Sequence, residues 1–279
     1  MSNPTLGVYQ FIHNGVEYDY PFLESLTSVL PIADKIVICD CESTDDTLKW
    51  LKEFQELNKE KVTIISHPWV KHFTELSSIG NYASTFLDTD WKWQIQSDEV
   101  LHENQYLNVR TWLNMIQKHD MKISALTTKY IHFLANFETE FDFCYQEIVR
   151  IHKRGSTWRL VGDACQLDGG NPSEVVPTDI TVYHYGKVHE GVVGFKKEID
   201  FQNLFKDIGF PDPKMKEMQE KFGRDYCDYV YLFESSIKEG KVRQFKGTHP
   251  EVMKKRISVF KDGGWEQFVS KTKEGLKIT

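Results

Sequence analysis

Apolar runs and amphipathic stretches alternate along residues 1–186 and predict an α/β fold. Mostly apolar runs at 6–12, 35–40 and 62–66 stop at polar turns, which is typical of buried strands. Between them, residues 20–30 and 47–57 carry apolar side chains at helical spacing, and Pro31 ends the first of these helices. Strands and helices in this order indicate right-handed βαβ units, and hence a mostly parallel central sheet flanked by helices.

Further elements extend this pattern and then give way to a different composition. Helices are predicted at 75–87 and 107–119, and strands at 91–95, 123–130, 147–152 and 180–186. Beyond residue 186 the chain consists of charged helical stretches at 196–208, 213–222 and 251–260. We therefore expect an α/β domain over residues 1–186 and a helical extension over residues 187–279 packed on it.

One strand ends abruptly in acids, and this stretch carries the first candidate chemistry. The aromatic run at 91–95 is followed by Gln96, Ser97, Asp98 and Glu99. Open α/β sheets bind ligands at the carboxyl ends of their strands, and carboxylates there suit Mg²⁺ or Mn²⁺. Asp98 is thus a candidate metal ligand. The alternative is that these acids only reach solvent and cap the next helix.

Charge and cysteine content exclude some classes of protein and weaken others. A net charge of −7 without a basic tail argues against a general nucleic-acid binder. Five scattered cysteines without a CxxC pair indicate reduced thiols and a cytoplasmic location. The chain has no apolar run of membrane-spanning length and no signal-peptide pattern at its start, so we expect a soluble protein. The absence of a P-loop or GxGxxG motif argues against an NTPase or a dehydrogenase.

Several segments together resemble a known family. Residues 36–47, Ile-Val-Ile-Cys-Asp-Cys-Glu-Ser-Thr-Asp-Asp-Thr, resemble the V-V-D-x-x-S-T-D-x-T signature of family 2 glycosyltransferases with the GT-A fold. Residues 78–83 are similar to the A-R-N helix of that family, and residues 93–100 to its D-x-D-E strand end. The segments at 183–186 and 246–250 resemble parts of one branch. One departure is Gln96, which stands where the family commonly has the first Asp of its metal motif; a neutral amide is a weaker ligand.

The resemblance implies a function as well as a fold. It implies transfer of a sugar from a nucleotide-sugar donor to an acceptor hydroxyl, with inversion and with Mn²⁺ or Mg²⁺. A UDP-sugar is favoured, with GDP- and dTDP-sugars as alternatives. The acceptor could be a glycan, a lipid-linked sugar, a protein or, less favoured, a modified DNA base. Rival hypotheses are a nucleotidyltransferase of similar fold, which would want a Gly-rich basic loop after the first strand, and a non-catalytic sugar-binding scaffold, which Gln96 motivates.

The resemblance also implies roles for individual residues. Asp98 and His184 would bind the metal, although His184 between two tyrosines could instead be a core histidine. Asp40 would accept a hydrogen bond from the base with Tyr9 or Gln10 beside it. Asn81 would reach ribose or phosphate, or else be a packed polar group of its helix. The remaining donor-binding candidates are Gln96, Ser97 and Lys187.

An acceptor hydroxyl needs a general base within hydrogen-bond reach. Asp163, in Trp-Arg-Leu-Val-Gly-Asp at 158–163, stands where relatives carry an acid on the acceptor side. It is the first candidate for this base, and Asp168 and Glu147 remain alternatives.

Overall fold

The computed structural model describes residues 3–142, 145–189, 191–204, 237–261 and 264–276. Its first elements are β1 (Leu6–Ile12), α1 (Phe22–Val29), β2 (Lys35–Asp40), α2 (Thr47–Leu57), β3 (Val62–Ser66), α3 (Phe73–Ser84), β4 (Trp91–Gln94), β5 (Glu99–Leu101) and α4 (Tyr106–Lys118). Then follow β6 (Ala125–Leu134), β7 (Thr139–Phe141), β8 (Glu147–Lys153), β9 (Arg159–Val161), β10 (Gln166–Asp168), β11 (Val175–Val176), β12 (Thr181–Lys187), α5 (Gly191–Leu204), β13 (Val242–Gln244), α6 (Lys254–Val259) and α7 (Trp265–Leu276). The helix predicted at 213–222 lies outside the described residues.

A single large sheet organises the molecule and confirms the predicted α/β class. Its main order is β13-β7-β6-β8-β4-β1-β2-β3, with β12 joining β6 and β5. Strands β4, β1, β2 and β3 are mutually parallel, whereas β8 is antiparallel to both β4 and β6. Strand β13, from the C-terminal part of the chain, pairs with β7 and so contributes to the same sheet.

Side chains alternate between the two faces of the parallel strands, and both faces are covered. Ile36 and Ile38 of β2 belong to the apolar cluster that includes residues of α1, α2 and α4. Val37 and Cys39 belong to a second cluster with α3 and the β9–β10 hairpin. Burial on both faces explains why these strands are continuous apolar runs in the sequence. It also fixes their carboxyl ends at one rim of the sheet.

The acid-bearing stretch forms a tight turn at this rim. Strand β4 ends at Gln94, and the amide of Glu99 donates to the carbonyl of Gln96 at 3.1 Å, which closes the turn into β5. The amide of Tyr185 donates to the carbonyl of Asp98 at 2.8 Å. Asp98 is therefore held at the tip of a turn that is tied by its backbone to β12.

None of the described helices combines the length and the apolar character that a membrane span requires.

Candidate active site

A cavity of about 1010 Å³ opens at the rim where the parallel strands end. Ile12 lines it at the end of β1, Thr44 after β2, Trp69 after β3 and Gln96 after β4. Residues of α5, including Lys197, line it from the opposite side. The cavity thus lies where an open α/β sheet places its ligands.

The structure brings six of the ten predicted site residues to this cavity. The six that line it are Gln96, Ser97, Asp98, Asp163, His184 and Lys187. The four that lie outside the lining are Tyr9, Gln10, Asp40 and Asn81.

Tyr9 and Gln10 lie too far inside β1 to reach the rim. Both side chains are fully buried, and the Gln10 amide donates to Ser25 Oγ at 3.0 Å. Burial raises the pKa of Tyr9 far above its usual range, although Arg150 opposes this. The strand continues to Ile12, so the residues near its end that line the cavity are Phe11 and Ile12. This placement does not support the predicted contacts of Tyr9 and Gln10 with a base.

Asn81 pairs with the backbone of the β9–β10 hairpin. Its amide donates to the carbonyl of Leu160 at 2.9 Å and accepts from the amide of the same residue at 2.8 Å. Gly80 allows this approach, since a Cβ atom there would lie 2.3 Å from Leu160 Cδ1. The placement does not support a contact with ribose or phosphate. It corresponds to the alternative role, a packed polar group of α3.

Asp40 ends β2 with its carboxylate almost fully buried. Oδ2 accepts a long bond of 3.4 Å from the amide of Ser43, while Oδ1 has no partner among the described residues. A buried carboxylate oxygen without a donor costs free energy. The atom is therefore an unused acceptor close to Ile12, its register partner, which does line the cavity.

Asp98, His184 and Gly186 form a small polar cradle at the cavity floor. The nearest oxygen of Asp98 lies 3.7 Å from His184 Nε2, and both side chains are mostly buried. A Cβ atom at position 186 would lie 2.6 Å from Asp98 Oδ2 and 2.7 Å from His184 Nε2. Mg²⁺ binds its ligands at about 2.1 Å and Ca²⁺ at about 2.3–2.6 Å. The space that Gly186 leaves open is therefore close in size to a site for a divalent ion.

The protonation of His184 follows from its neighbours. His132 Nε2 lies 2.8 Å from the carbonyl of Tyr145, an acceptor, so this nitrogen must carry the proton. His132 Nδ1 is then an acceptor, and His184 Nδ1, 3.0 Å away, donates to it. Burial lowers the pKa of His132 to about 4 and that of His184 to about 3, so both rings are neutral near pH 7. His184 Nε2 consequently presents a lone pair toward Asp98, as a metal ligand does.

Lys197 supplies a positive charge to the same cradle. Its ammonium donates to the carbonyl of Gly186 at 2.6 Å and lies 3.4 Å from Asp98 Oδ2. Burial alone would raise the pKa of Asp98, but nearby positive charge, to which the Lys197 ammonium contributes, lowers the pKa below its usual value. The carboxylate is therefore ionised at neutral pH.

The predicted metal site would have two protein ligands. Among the described residues, no group of three His, Cys, Asp or Glu side chains could hold a metal ion. Asp98 and His184 offer one carboxylate and one imidazole, and Mg²⁺ commonly completes such a set with water and substrate phosphates. The donor set and the cradle at Gly186 fit an ion that shares its ligands with a phosphate-containing substrate.

A buried ion pair lies beneath the site and joins two of its loops. Arg150 and Glu99 are both fully buried, and Arg150 donates to both carboxylate oxygens at 2.6 and 2.5 Å. Glu99 also accepts from the amide of Gln96 at 2.8 Å, and Arg150 donates to the carbonyls of Ala164 and Cys165. Burial raises the pKa of Glu99, and the guanidinium opposes the rise. The pair ties the Asp98 turn to the Asp163 loop.

Asp163 reaches the cavity from the β9–β10 turn. Its half-buried carboxylate accepts from the amide of Cys165 at 3.2 Å, and Ala164 adopts a left-handed φ of +64°. Asp168 and Glu147 are exposed and lie outside the lining, and each already accepts a local hydrogen bond. Of the three acids considered as a base, Asp163 therefore has the suitable position.

The sequence analysis missed several contributors to this site. Gly186 carried a signal, because a glycine inside a strand indicates a close approach. Lys197 carried only a weak signal, as one of several cations that could fold over a diphosphate, since a lysine on a charged helix is usually solvated. The ring stack of His13 and Trp69, with centroids 4.5 Å apart and planes 9° from parallel, required the fold to bring two strand ends together. It gives the cavity a flat aromatic element.

Comparison with known proteins found distant structural likenesses. No model of a known family matches the sequence, and no curated protein matches it. The structure of GalNAc-T7 with UDP, GalNAc and Mn²⁺ is 13% identical over 85% of this chain and 57% of that chain, with a TM-score of 0.47. The mannosyltransferase PcManGT from Pyrobaculum calidifontis with GDP-Man and Mn²⁺ is 10% identical over 99% and 81%, with a TM-score of 0.45.

The match to S. aureus TarS in complex with UDP has 15% identity and a TM-score of 0.39, and it covers 53% of this chain. It spans 46% of that TarS chain and 28% of a second TarS chain, less than half of each. Scores below 0.5 do not carry a substrate or a mechanism to this protein.

Proposed function

We propose that the chain is a family 2 glycosyltransferase of the GT-A type, which transfers a sugar from a nucleotide-sugar donor to an acceptor hydroxyl. The observation that carries the proposal is the combination of residues around one cavity. A cation cradle at Asp98, His184 and Gly186 lies at the rim of a parallel sheet, and a separate carboxylate, Asp163, lines the same cavity. Transfer from a diphosphate donor requires both features.

The nucleoside is proposed to lie at the ends of β1, β2 and β3. The stacked rings of His13 and Trp69 offer an aromatic surface for a base. Oδ1 of Asp40, which lacks a donor among the described residues, can accept the imide N–H of uracil. A UDP-sugar therefore remains the favoured donor. Guanine and thymine also carry such N–H groups, so GDP- and dTDP-sugars are the alternatives to be compared.

The diphosphate is proposed to lie at the Asp98 turn. Asp98 and His184 would hold Mn²⁺ or Mg²⁺, and such an ion, when bound, neutralises the departing diphosphate as a Lewis acid. Gln96 and Ser97 lie in the same turn, and Lys187 ends β12 at the cavity wall. The lysine places a cation near the phosphates, where it favours the bound anion.

Asp163 is proposed as the general base. Its carboxylate would take the proton of the acceptor hydroxyl as that oxygen bonds to the anomeric carbon. The bond from this carbon to the phosphate oxygen breaks at the same time, and the nucleoside diphosphate leaves with the electron pair. Direct displacement inverts the anomeric centre. The acceptor is proposed to be a hydroxyl of a glycan or of a lipid-linked sugar.

A donor panel tests this function. Purified protein is incubated with Mn²⁺ and UDP-, GDP- or dTDP-sugars, and release of free nucleotide is measured. We expect release from one class of donor and its loss in Asp98→Asn. Release that is unchanged in Asp98→Asn contradicts the assignment of the metal site, and failure of every nucleotide to bind favours a non-catalytic scaffold.

The role of Asp163 as the general base needs a variant of its own. Asp163→Asn should keep donor binding, measured by thermal shift or calorimetry, and lower transfer to an acceptor by about 10²-fold or more. Asp168→Asn is the matched control, since this acid lies outside the lining of the cavity. If Asp163→Asn transfers normally, the base is a different residue.

A further inference from the structure

Lys197 is held inside the candidate site by an unusually complete set of partners. Its side chain is 11% exposed, and its ammonium contacts the Gly186 carbonyl, the Asp98 carboxylate and His189 Nε2. The face of the Tyr20 ring lies 4.4 Å away and adds a cation–π contact. Carbonyl, carboxylate and aromatic face together form a site for a cation, and the Lys197 ammonium occupies it.

The electrostatics of the cradle explain why a cation is needed there. The mostly buried Asp98 carboxylate lies 3.7 Å from His184 Nε2 and 3.4 Å from the Lys197 ammonium. A buried carboxylate costs free energy unless a cation or a hydrogen-bond donor faces it. Either an ammonium or a metal ion can supply that positive charge.

We propose that Lys197 is a tethered counter-ion that neutralises Asp98 in the ligand-free protein and competes with the metal ion for this carboxylate. The incoming diphosphate offers the ammonium new anionic oxygens. Lys197 then leaves Asp98 and pairs with the donor, and the metal ion takes its place. Metal and nucleotide therefore bind cooperatively. This inference rests on the proposed function for the identity of the anion.

The test measures Mn²⁺ binding by electron paramagnetic resonance, with and without UDP, so it does not depend on turnover. Wild-type protein should bind Mn²⁺ weakly alone and more tightly with UDP. Lys197→Met should bind Mn²⁺ at least about tenfold more tightly without UDP, because no ammonium repels the ion. Since coupling is reciprocal, the gain that UDP brings should shrink by a similar factor.

UDP binding in the presence of a chelator gives a second readout, in which the same substitution should weaken binding and not strengthen it. Without metal, Lys197 is the cation that meets the diphosphate, so Lys197→Met should bind UDP several-fold more weakly than wild type. Lys196→Met is the matched control on the same helix, because the Lys196 ammonium pairs with Glu17 instead. It should leave the affinity for Mn²⁺ unchanged.

Unchanged or weaker binding of Mn²⁺ by Lys197→Met overturns the proposal. Lys197→Gln provides the same comparison if the methionine variant does not fold, and thermal melting checks both. Loss of Mn²⁺ binding in Asp98→Asn locates the ion. If no variant binds UDP under any condition, the proposed function fails, whereas the Mn²⁺ titrations without UDP still decide whether Lys197 and metal compete.

Discussion

Gly186 leaves room for a cation beside the side chains of Asp98 and His184. The missing Cβ atom would lie within 2.7 Å of both Asp98 and His184. No real Cβ atom tolerates such contacts, so any other residue must push these side chains apart or fill the space between them. At the scale of single residues, the absence of a side chain is as important to the site as the ligands.

Gly186→Ala is therefore expected to lower the affinity for Mn²⁺ by about tenfold or more, because the methyl group occupies the cradle. Calorimetric titration of Mn²⁺ measures the effect. Thermal melting is the control, since Gly186 does not adopt a left-handed φ and the fold should persist. An alanine variant that binds Mn²⁺ like wild type contradicts the proposed position of the ion.

His132 is expected to act on the metal through His184. Its Nδ1 accepts from His184 Nδ1 and so leaves the other nitrogen free of a proton. His132→Phe removes this acceptor, and we expect Mn²⁺ affinity to fall by about 10–100-fold. His152→Phe is the control, because His152 is a buried histidine of β8 outside the cavity lining. Equal effects of the two substitutions would show a structural role only.

Candidate site residues stand out where the local sequence marks the end of an element. Asp98 follows an aromatic strand, and His184 lies two residues before a glycine in another strand. Both line the cavity, and their roles as metal ligands stay predictions. Tyr9 and Gln10 lie inside β1, which ends at Ile12, and which residues of a strand reach the cavity depends on the fold and not on the strand bounds alone. The sequence indicated Lys197 only as one of several cations that could lie near a diphosphate, since its burial depends on where the fold places α5.

At the scale of elements, the ion pair of Glu99 and Arg150 couples the turn after β4 to the hairpin β9–β10. Each partner is fully buried, and together they bind the backbone at Gln96, Ala164 and Cys165. A buried pair of this kind need not increase stability over an apolar pair. Its effect here is geometric, because it sets the separation between the Asp98 turn and the Asp163 loop.

Removal of one partner of the Glu99–Arg150 ion pair should destabilise the folded protein. Arg150→Met leaves a buried carboxylate unpaired, and we expect the free energy of unfolding to fall by about 3–5 kcal/mol in urea titrations. Glu99→Gln combined with Arg150→Met should recover much of that loss while kcat stays low, because the loops remain unconnected. If Arg150→Met is as stable as wild type, or if the double variant recovers kcat, the coupling is absent.

Long apolar runs predicted their strands well, and short strands escaped prediction. The predicted bounds of β1, β2 and β3 agree with the structure, since each is a mostly apolar run that ends at a polar turn. The hairpin β9–β10 has two strands of three residues, a length at which alternation cannot be recognised. Its position over α3 depends on contacts with Asn81, far away in the sequence.

For the molecule as a whole, buried neutral histidines link stability to pH. Burial lowers the pKa of His132, His152 and His249 to about 4 and that of His184 to about 3. The unfolded chain takes up these protons below pH about 6.5, whereas the native protein resists until about pH 4. Stability is therefore complete above pH 6.5 and is lost as the pH falls toward 4.

Between pH 6.5 and pH 4, each such histidine should lower the free energy of unfolding by about 1.4 kcal/mol for every unit that the pH falls. Urea unfolding at pH 7.5, 6 and 5 measures how the free energy of unfolding depends on pH. His152→Phe should reduce this dependence by about the contribution of one histidine. His119, whose side chain is exposed on the protein surface after α4, serves as the control in His119→Phe. A free energy of unfolding that is constant between pH 7 and 5 contradicts this prediction.

The antiparallel pairing of β4 with β8 separates two parts of the chain that contribute to the candidate site. The parallel strands deliver the Asp98 turn, while the β9–β10 hairpin lies on one face of the sheet and is anchored by Leu160 and Leu167 in the cluster with α3. Residues 162–165 can therefore be exchanged as a graft, provided that the two leucines and the backbone contacts of Arg150 are kept. Chimeras of this kind would vary the chemistry presented by the hairpin while the register of the parallel strands stays intact.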